Sequence, residues 1–419
     1  MWMMLFERRV PPKARDAYRK DTTAGMLTAV MNGLSMPFVA VIARKTLDAN
    51  AFEIAILTMA PVAGNLLALV WANIMEGRPK MPFAKWAMIA GRTLLLACAF
   101  AVKSWQLVGI VAAMFFVSSV AVPAYSALMK EIYPDGERAK IMAYVRTVVV
   151  GIYVVTIAIA APLLHGHHYR FLFPVAGLFG IAGAFVFGKI PAAEASGDRS
   201  VRFHTFIHNG VLVLRDNQGF RWFCAGMFVF VFANAMIQPA YVIHQVRIGV
   251  GTDWAGVYSI IAASIMTVGY FCWGGIIDRK SPPGWLAWQT LCWVVIPLVY
   301  CVAFRPWMLL PTCLVSGILV AGIELVFLNG VLHFAPTERI THYQAVFSTV
   351  MAVAGLTGPL VGAAMVQSRI LPMKVMFLVT GLAMASSSLI STVGMRRYDR
   401  PNPAENRAPD AAAEPTRRG

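Results

Sequence analysis

Residues 273–284 read WGGIIDRKSPPG, and 202 residues earlier residues 71–82 read WANIMEGRPKMP. In both stretches a tryptophan closes an apolar run, an acid stands five positions on (Asp278, Glu76), and a cation follows two beyond it (Lys280, Arg78). The same offset pairs Asn32 with Asn234, Pro37 with Pro239, Asn50 with Thr252, Trp86 with Trp288, Trp105 with Trp307 and Pro134 with Pro336. Tryptophans and polar turns that align without a gap through several apolar stretches mark an internal duplication. The chain therefore reads as two related halves.

Composition says where those halves reside. The 419 residues are 58% hydrophobic and 13% charged, with a mean hydropathy of +0.64, outside the soluble globular range. Apolar stretches of about 20 residues, enough to cross ~30 Å of hydrocarbon, recur along the chain. Twelve spans follow, at residues 22–43, 51–76, 83–102, 106–129, 139–163, 170–189, 221–245, 254–277, 284–304, 307–333, 341–366 and 371–395. The runs are continuous and show no alternation at every second residue, so they predict helices and exclude a spanning barrel. The fold class is an all-α integral membrane protein of two pseudo-symmetric six-helix bundles. Because six is even, both bundles enter from one side and are related by an axis along the membrane normal.

The net charge of +16 is topological. With the N-terminus placed in the cytoplasm, 27 of the 36 Lys and Arg residues fall on that side, eight fall outside and one, Arg92, lies within a span. This positive-inside bias puts both termini in the cytoplasm of a multi-pass plasma (inner) membrane protein and leaves no role for nucleic acid. The expected organisation is a cytoplasmic segment over 1–21, bundles over 22–189 and 221–395, a linker over 190–220 and a disordered tail over 396–419. Within the linker, Val201, Phe203, Phe206, Ile207, Val211, Leu212 and Leu214 are spaced to line one side of an interfacial helix. The first twenty residues are charged, so no cleavable signal is read there. Six cysteines lie singly in spans, and the histidine groups His165, His167, His168 and His204, His208 lack Cys or carboxylate partners, so neither a disulfide framework nor a metal is expected. Glu53, three residues after Asn50, reads as a capping box opening the second span.

Twelve spans arranged six and six, a central cytoplasmic loop and the run Gly274, Asp278, Arg279 between spans 8 and 9 resemble the major facilitator superfamily. Its signature between helices 2 and 3, often echoed between 8 and 9, is G-x-x-x-D-R-x-G-R-R. Ser281 stands where a later glycine belongs, and the first copy keeps Glu76 with basic neighbours. The resemblance implies a cytoplasmic gate in which each acid latches onto the start of a helix in the other half. Asp278 would meet Arg138, and Glu76 would meet Arg339, with Arg78 and Arg279 completing the ion pairs. An acid at a helix N-terminus is favoured by the macrodipole and by charge-assisted hydrogen bonds. The arginine that many proton-coupled members carry on helix 4 has no counterpart between 106 and 129, which weighs against that form of coupling.

A carboxylate near the middle of span 10, Glu324, costs about 2.5–3.5 kcal/mol if it faces lipid, so a cavity or a partner is expected. The resemblance places helices 1, 4, 7 and 10 around a central cavity, where Glu324 is a candidate proton or cation site. In span 7, Asn234, Gln238, Tyr241 and Gln245 stand at i, i+4, i+7 and i+11, one polar stripe on an apolar helix. Asn32 in span 1, Ser118 and Tyr125 in span 4, and Asn329 in span 10 complete the predicted cavity lining. Arg92, on a helix the resemblance places at the periphery, reads as snorkelling or paired within its own half.

The expectation is a secondary transporter that carries a small organic solute by alternating access, in a proton-coupled efflux form. One acid among neutral polar groups suits a neutral, cationic or amphipathic solute. No G-x-x-x-x-G-K-[ST], rhomboid-like G-x-S-G or H-E-x-x-H occurs, so neither ATP-driven pumping nor an enzyme is read. The alternative is a non-pumping membrane factor that handles a lipid or pigment, or docks on a membrane complex. No cofactor is expected; the partners are membrane lipids and a small-molecule substrate, and the chain is read as a monomer.

Overall fold

The computed structural model describes residues 6–67, 71, 74–75, 78–134, 137–164, 166–191, 214–215, 217–277, 282–335 and 340–396. The interfacial-helix stretch through Val211 and Leu212, and the tail beyond 396, lie outside these residues. Helices fall on all twelve expected spans, and no strand occurs among the described residues. Spans 1 and 2 are α1 (Arg15–Lys45) and α2 (Ala51–Leu66); span 3 is α3 (Lys80–Leu94), ending in the 3₁₀ turn Leu95–Phe100. Span 4 is split into α4 (Ser104–Ser118) and α5 (Ala121–Ile132), and spans 5 and 6 are α6 (Arg138–Leu163) and α7 (Tyr169–Phe187). The second half comprises α8 (Gln218–Arg247), α9 (Thr252–Ile277), the split pair α10 (Pro282–Cys292) and α11 (Val295–Val302), α12 (Leu310–Phe334), α13 (Ile340–Ser368) and α14 (Met373–Arg396). Among the described residues, nine helices are long and apolar enough to cross a membrane, with Ala51–Gly64 and Ala287–Val302 as shorter apolar segments.

Both splits have a proline cause. A helical proline lacks its N–H and its ring collides with the carbonyl four residues back. Pro123 stands four after Ser119, and Pro297 four after Trp293; the helix breaks at 119–120 and at 293–294. At its other margin α1 begins seven residues before the expected 22. Ala17, Tyr18 and Asp21 are buried there against Met129, Tyr133 and Ile141, so one face of a charged stretch continues the helix into a packed cluster. Tyr133 donates to the Asp21 carboxylate at 2.9 Å, and Arg19 pairs with the buried Glu7 of the preceding turn.

The duplication is visible in side-chain bonds. Trp273 Nε1 donates to the Ile318 carbonyl at 2.8 Å. Its counterpart Trp71 donates to Ser119 Oγ at 3.2 Å, and that hydroxyl donates to the Phe116 carbonyl, the position equivalent to Ile318. Each half thus ties its second helix to its fourth through the tryptophan of the opening stretch. A net intramolecular hydrogen bond contributes about 1 kcal/mol. Trp273→Phe and Trp71→Phe should each lower stability by about that amount, read from the denaturation midpoint in detergent.

One buried cluster is drawn from residues 220–384 and another chiefly from 31–176. Across them α2 packs on α13, and α6 on α9. The sequence offset exchanges these two contacts: span 2 maps to span 8 and span 5 to span 11. We call the end where α1 starts the near end and the opposite end the far end. At the far end Ala51 and Ala55 of α2 meet Ile243 of α8 and Ala363 of α13. The α2–α13 contact continues inward to Val62, which lies against Gly355.

Candidate functional site

Within the first half, α1, α3, α4, α5 and α6 line an open cavity of about 540 Å³, within the usual range for small-molecule sites. Its polar side chains are Thr28, Asn32, Arg92, Ser118, Tyr125 and Tyr153, and its apolar wall is rich in methionine. Thr28 and Asn32 are one turn apart on α1, so both present to the same side. Ser118 is the last residue of α4, set beside the cavity where Pro123 ends that helix.

Arg92 is the one charged residue among the described residues of this lining and is only 8% exposed. Its Nη1 donates to the Gly180 carbonyl of α7 at 2.6 Å, and its Nη2 to Thr28 Oγ1 of α1 at 3.1 Å. Thr28 Oγ1 in turn donates to the Ala24 carbonyl at 2.8 Å. The guanidinium therefore joins three helices through neutral groups, and no carboxylate pairs with it among the described residues. The absence of a side chain at Gly180 permits this approach: a Cβ there would lie 3.0 Å from Arg92 Cδ and would also strike Met31 Sδ.

A second cavity, about 560 Å³, lies at the far end where the halves meet. Arg44, Arg247 and Arg369 line it together with Asp48 and Gln367. Arg44 donates to the Ala49 carbonyl at 2.7 Å, and Asp48 and Arg369 hold positive φ of 52° in the turns that shape the rim. The adjoining start of α2 carries the Asn50–Glu53 capping box, with Glu53 N donating to Asn50 Oδ1 at 2.9 Å and Asn50 N to Glu53 Oε2 at 2.7 Å.

Of the predicted cavity residues, Asn32, Ser118 and Tyr125 come together around the first cavity. The span 7 stripe does not join them. Tyr241 is buried with its ring stacked 4.0 Å from that of Tyr300, and Gln245 donates to Tyr300 Oη at 2.6 Å, both inside the second half. The α8 residues that pack with first-half clusters are Val242, Ile243 and Val246. At roughly 100° per residue, they lie around the helix from Tyr241 and Gln245. Asn234 and Gln238 are half-buried on the stripe's inner turns. Glu324 and Asn329 fall on α12, and Arg138 on the first turn of α6, with their side chains outside the description. Glu76, Asp278, Arg279 and Arg339 lie outside the described residues, while Arg78 is exposed after the second span. Arg92, expected to snorkel or pair within its own half, is buried and bonded to spans 1 and 6 of that half, and it also lines a cavity. Its position as the one cation inside a span was the signal available. No group of three metal-ligating side chains occurs among the described residues.

A family model described as Major Facilitator Superfamily matches residues 22–359. The chain belongs to the major facilitator superfamily. No curated protein matches it in sequence. Among solved structures, a bacterial homologue of the human lysosomal transporter Spinster, inward-facing and unoccupied, is similar at a TM-score of 0.64 and 13% identity, covering 94% of this chain and 99% of that one. Its occupied form gives 0.65 at the same identity and coverage. The nucleoside transporter NupG gives 0.72 at 11% identity over 91% and 99% of the two chains. This superfamily member is accordingly a multi-pass membrane transporter and not an enzyme, and at these identities the likeness speaks to fold alone.

Proposed function

We propose that the chain is a secondary carrier of the plasma (inner) membrane that moves a small organic solute by alternating access. The observation that carries this reading is the pair of inter-half contacts, α2 on α13 and α6 on α9, that the duplication exchanges. Two bundles joined along such symmetric seams can rock about them, which is how parallel-repeat carriers expose one site to each side in turn. The bundles at 22–189 and 221–395 are the moving bodies. The near end is cytoplasmic, with both termini, as the 27 cations against eight support. There Glu76, Arg78, Arg138, Asp278, Arg279 and Arg339 form the gate that latches when the site faces outward. Asn234, Gln238, Glu324 and Asn329 supply the second-half wall of the path, with Glu324 as the proton site of an efflux carrier.

Reconstitution tests this. Purified protein in proteoliposomes is screened for solute counterflow, then for flux with and without an imposed pH gradient. Glu324→Gln should keep counterflow while losing stimulation by the gradient. Stimulation that survives the substitution removes Glu324 from proton handling. A protein that carries no solute and retains a bound lipid or pigment is instead a non-pumping factor.

A further inference from the structure

The first cavity has a chemistry that the general carrier reading leaves open. Among the described residues its lining contains one cation and no acid, so that part of its wall is net positive. Arg92 is more than nine-tenths buried there, and a charge removed from water without a counterion is strongly disfavoured. The two bonds to Gly180 and Thr28 occupy two of the five N–H donors of a guanidinium. The nearest acid along α1, Asp21, lies two turns from Thr28, about 10 Å along the axis. Its carboxylate already accepts from Tyr133.

A planar fork of donors matches a carboxylate in bidentate geometry. Around it, Met31, Met36, Met88 and Met114, with Phe115, give the lining a wall rich in unbranched, polarisable methionine side chains that adapt to apolar shapes. Ser118 and Asn32 add neutral donors beside the charge. An independent feature has the same sign: among the described residues, the far-end cavity between the halves is lined by three arginines and one acid, Asp48. Clefts lined by one sign of charge concentrate ions of the other.

We propose that this cavity is the binding site for an amphipathic organic anion, with Arg92 holding its carboxylate and the methionine wall its apolar body. The proposal rests on the carrier reading and narrows its substrate class. Of the neutral, cationic or amphipathic solute expected from the sequence it keeps the amphipathic character and makes the charge negative.

The test uses matched probes on the full chain in phosphatidylcholine nanodiscs. A series of ω-phenylalkanoates, from phenylacetate to 8-phenyloctanoate, is compared at each length with the corresponding alcohol and amine, reading affinity from ligand-dependent unfolding midpoints. At the favoured length the carboxylate should bind about tenfold or more tightly than either partner, the range expected of a hydrogen bond to a charged group. Arg92→Gln should bring that ratio to about one, and Arg92→Lys should retain part of it. The comparison among probes needs no variant. Should Arg92→Gln fail to fold, Val122→Trp, which fills the cavity from a half-open position, should abolish carboxylate binding at every length.

A ratio near one for wild-type protein across the whole series overturns the proposal, as does an undiminished ratio in folded Arg92→Gln. Loss of the carboxylate's advantage as phosphatidylglycerol is added assigns the site to a lipid headgroup and also overturns it. Proteoliposome flux separates the two readings. Carboxylate binding without flux keeps the anion site and defeats the carrier, whereas uptake of a neutral solute unaffected by Arg92→Gln keeps the carrier and defeats the anion site.

Discussion

Cysteines at positions 55 and 363, joined by a short reducible bifunctional reagent, are expected to stop transport, and reduction is expected to restore it. Ala55 and Ala363 are both fully buried in the small far-end cluster that closes one half on the other. Small side chains allow α2, α8 and α13 to approach there, and the contact is apolar, so it can separate without leaving a charge unpaired. Alternating access requires that this closure open once in each cycle. A covalent link across it confines the protein to a single state and should reduce net flux by tenfold or more while leaving probe binding from the near end intact. Ala55→Cys and Ala363→Cys alone, treated with the same reagent, are the controls. The native Cys98, Cys224 and Cys313 are buried, whereas Cys292 and Cys301 are partly exposed, so the pair is built in a background with Cys272, Cys292 and Cys301 replaced by serine. Normal flux in the linked protein would mean that the far-end contact is permanent, and the rocking mechanism would be lost.

The second large effect is at Gly180. Gly180→Ala places a Cβ 3.0 Å from Arg92 Cδ and 3.2 Å from its Cγ, and against Met31 Sδ, on the helix whose carbonyl holds the guanidinium. Overpacking of this kind costs about 1–3 kcal/mol. Here it should also move Arg92, so lowered stability and weakened carboxylate preference are expected together. Gly151→Ala in α6 is the comparison, because its Cβ would meet nothing within 4 Å. That substitution should be neutral or stabilising by up to about 1 kcal/mol through helix propensity. Equal midpoints for the two variants would show that α7 is free to retreat and that the Arg92 clamp is not rigid.

The same logic explains which features could be read in one dimension. Span number and position follow from hydropathy, because hydrocarbon thickness sets helix length and leaves the backbone no other way to satisfy its hydrogen bonds. The duplication was legible because tryptophans and turn residues recur at a constant offset, and Trp71 and Trp273 do perform equivalent tasks. The start of α1 was misplaced. Charge suggested an aqueous segment, but an amphipathic turn had a packed surface, Tyr133 and Met129, on which to continue.

Faces were harder to read than spans. Polarity and position along the family's cavity helices single out Asn32, Ser118 and Tyr125, and these three share one cavity. Their spacing places Tyr241 and Gln245 on one side of α8, yet spacing does not determine what stands opposite. Tyr300 and Phe377 stand opposite Tyr241, and stacked aromatic burial holds the phenol in the second half.

From its sequence alone, then, this protein is committed to the bilayer, to helices of set length and to two copies of one bundle. These are consequences of apolar runs, of charge distribution and of repetition, all of which are properties of single segments. Which helix face meets which neighbour, and that Arg92 closes on the Gly180 carbonyl beside a cavity, depends on contacts between residues 88 positions apart. Such contacts exist only after the helices have packed, because close approach is set by the shapes of both surfaces and neither segment encodes the other's.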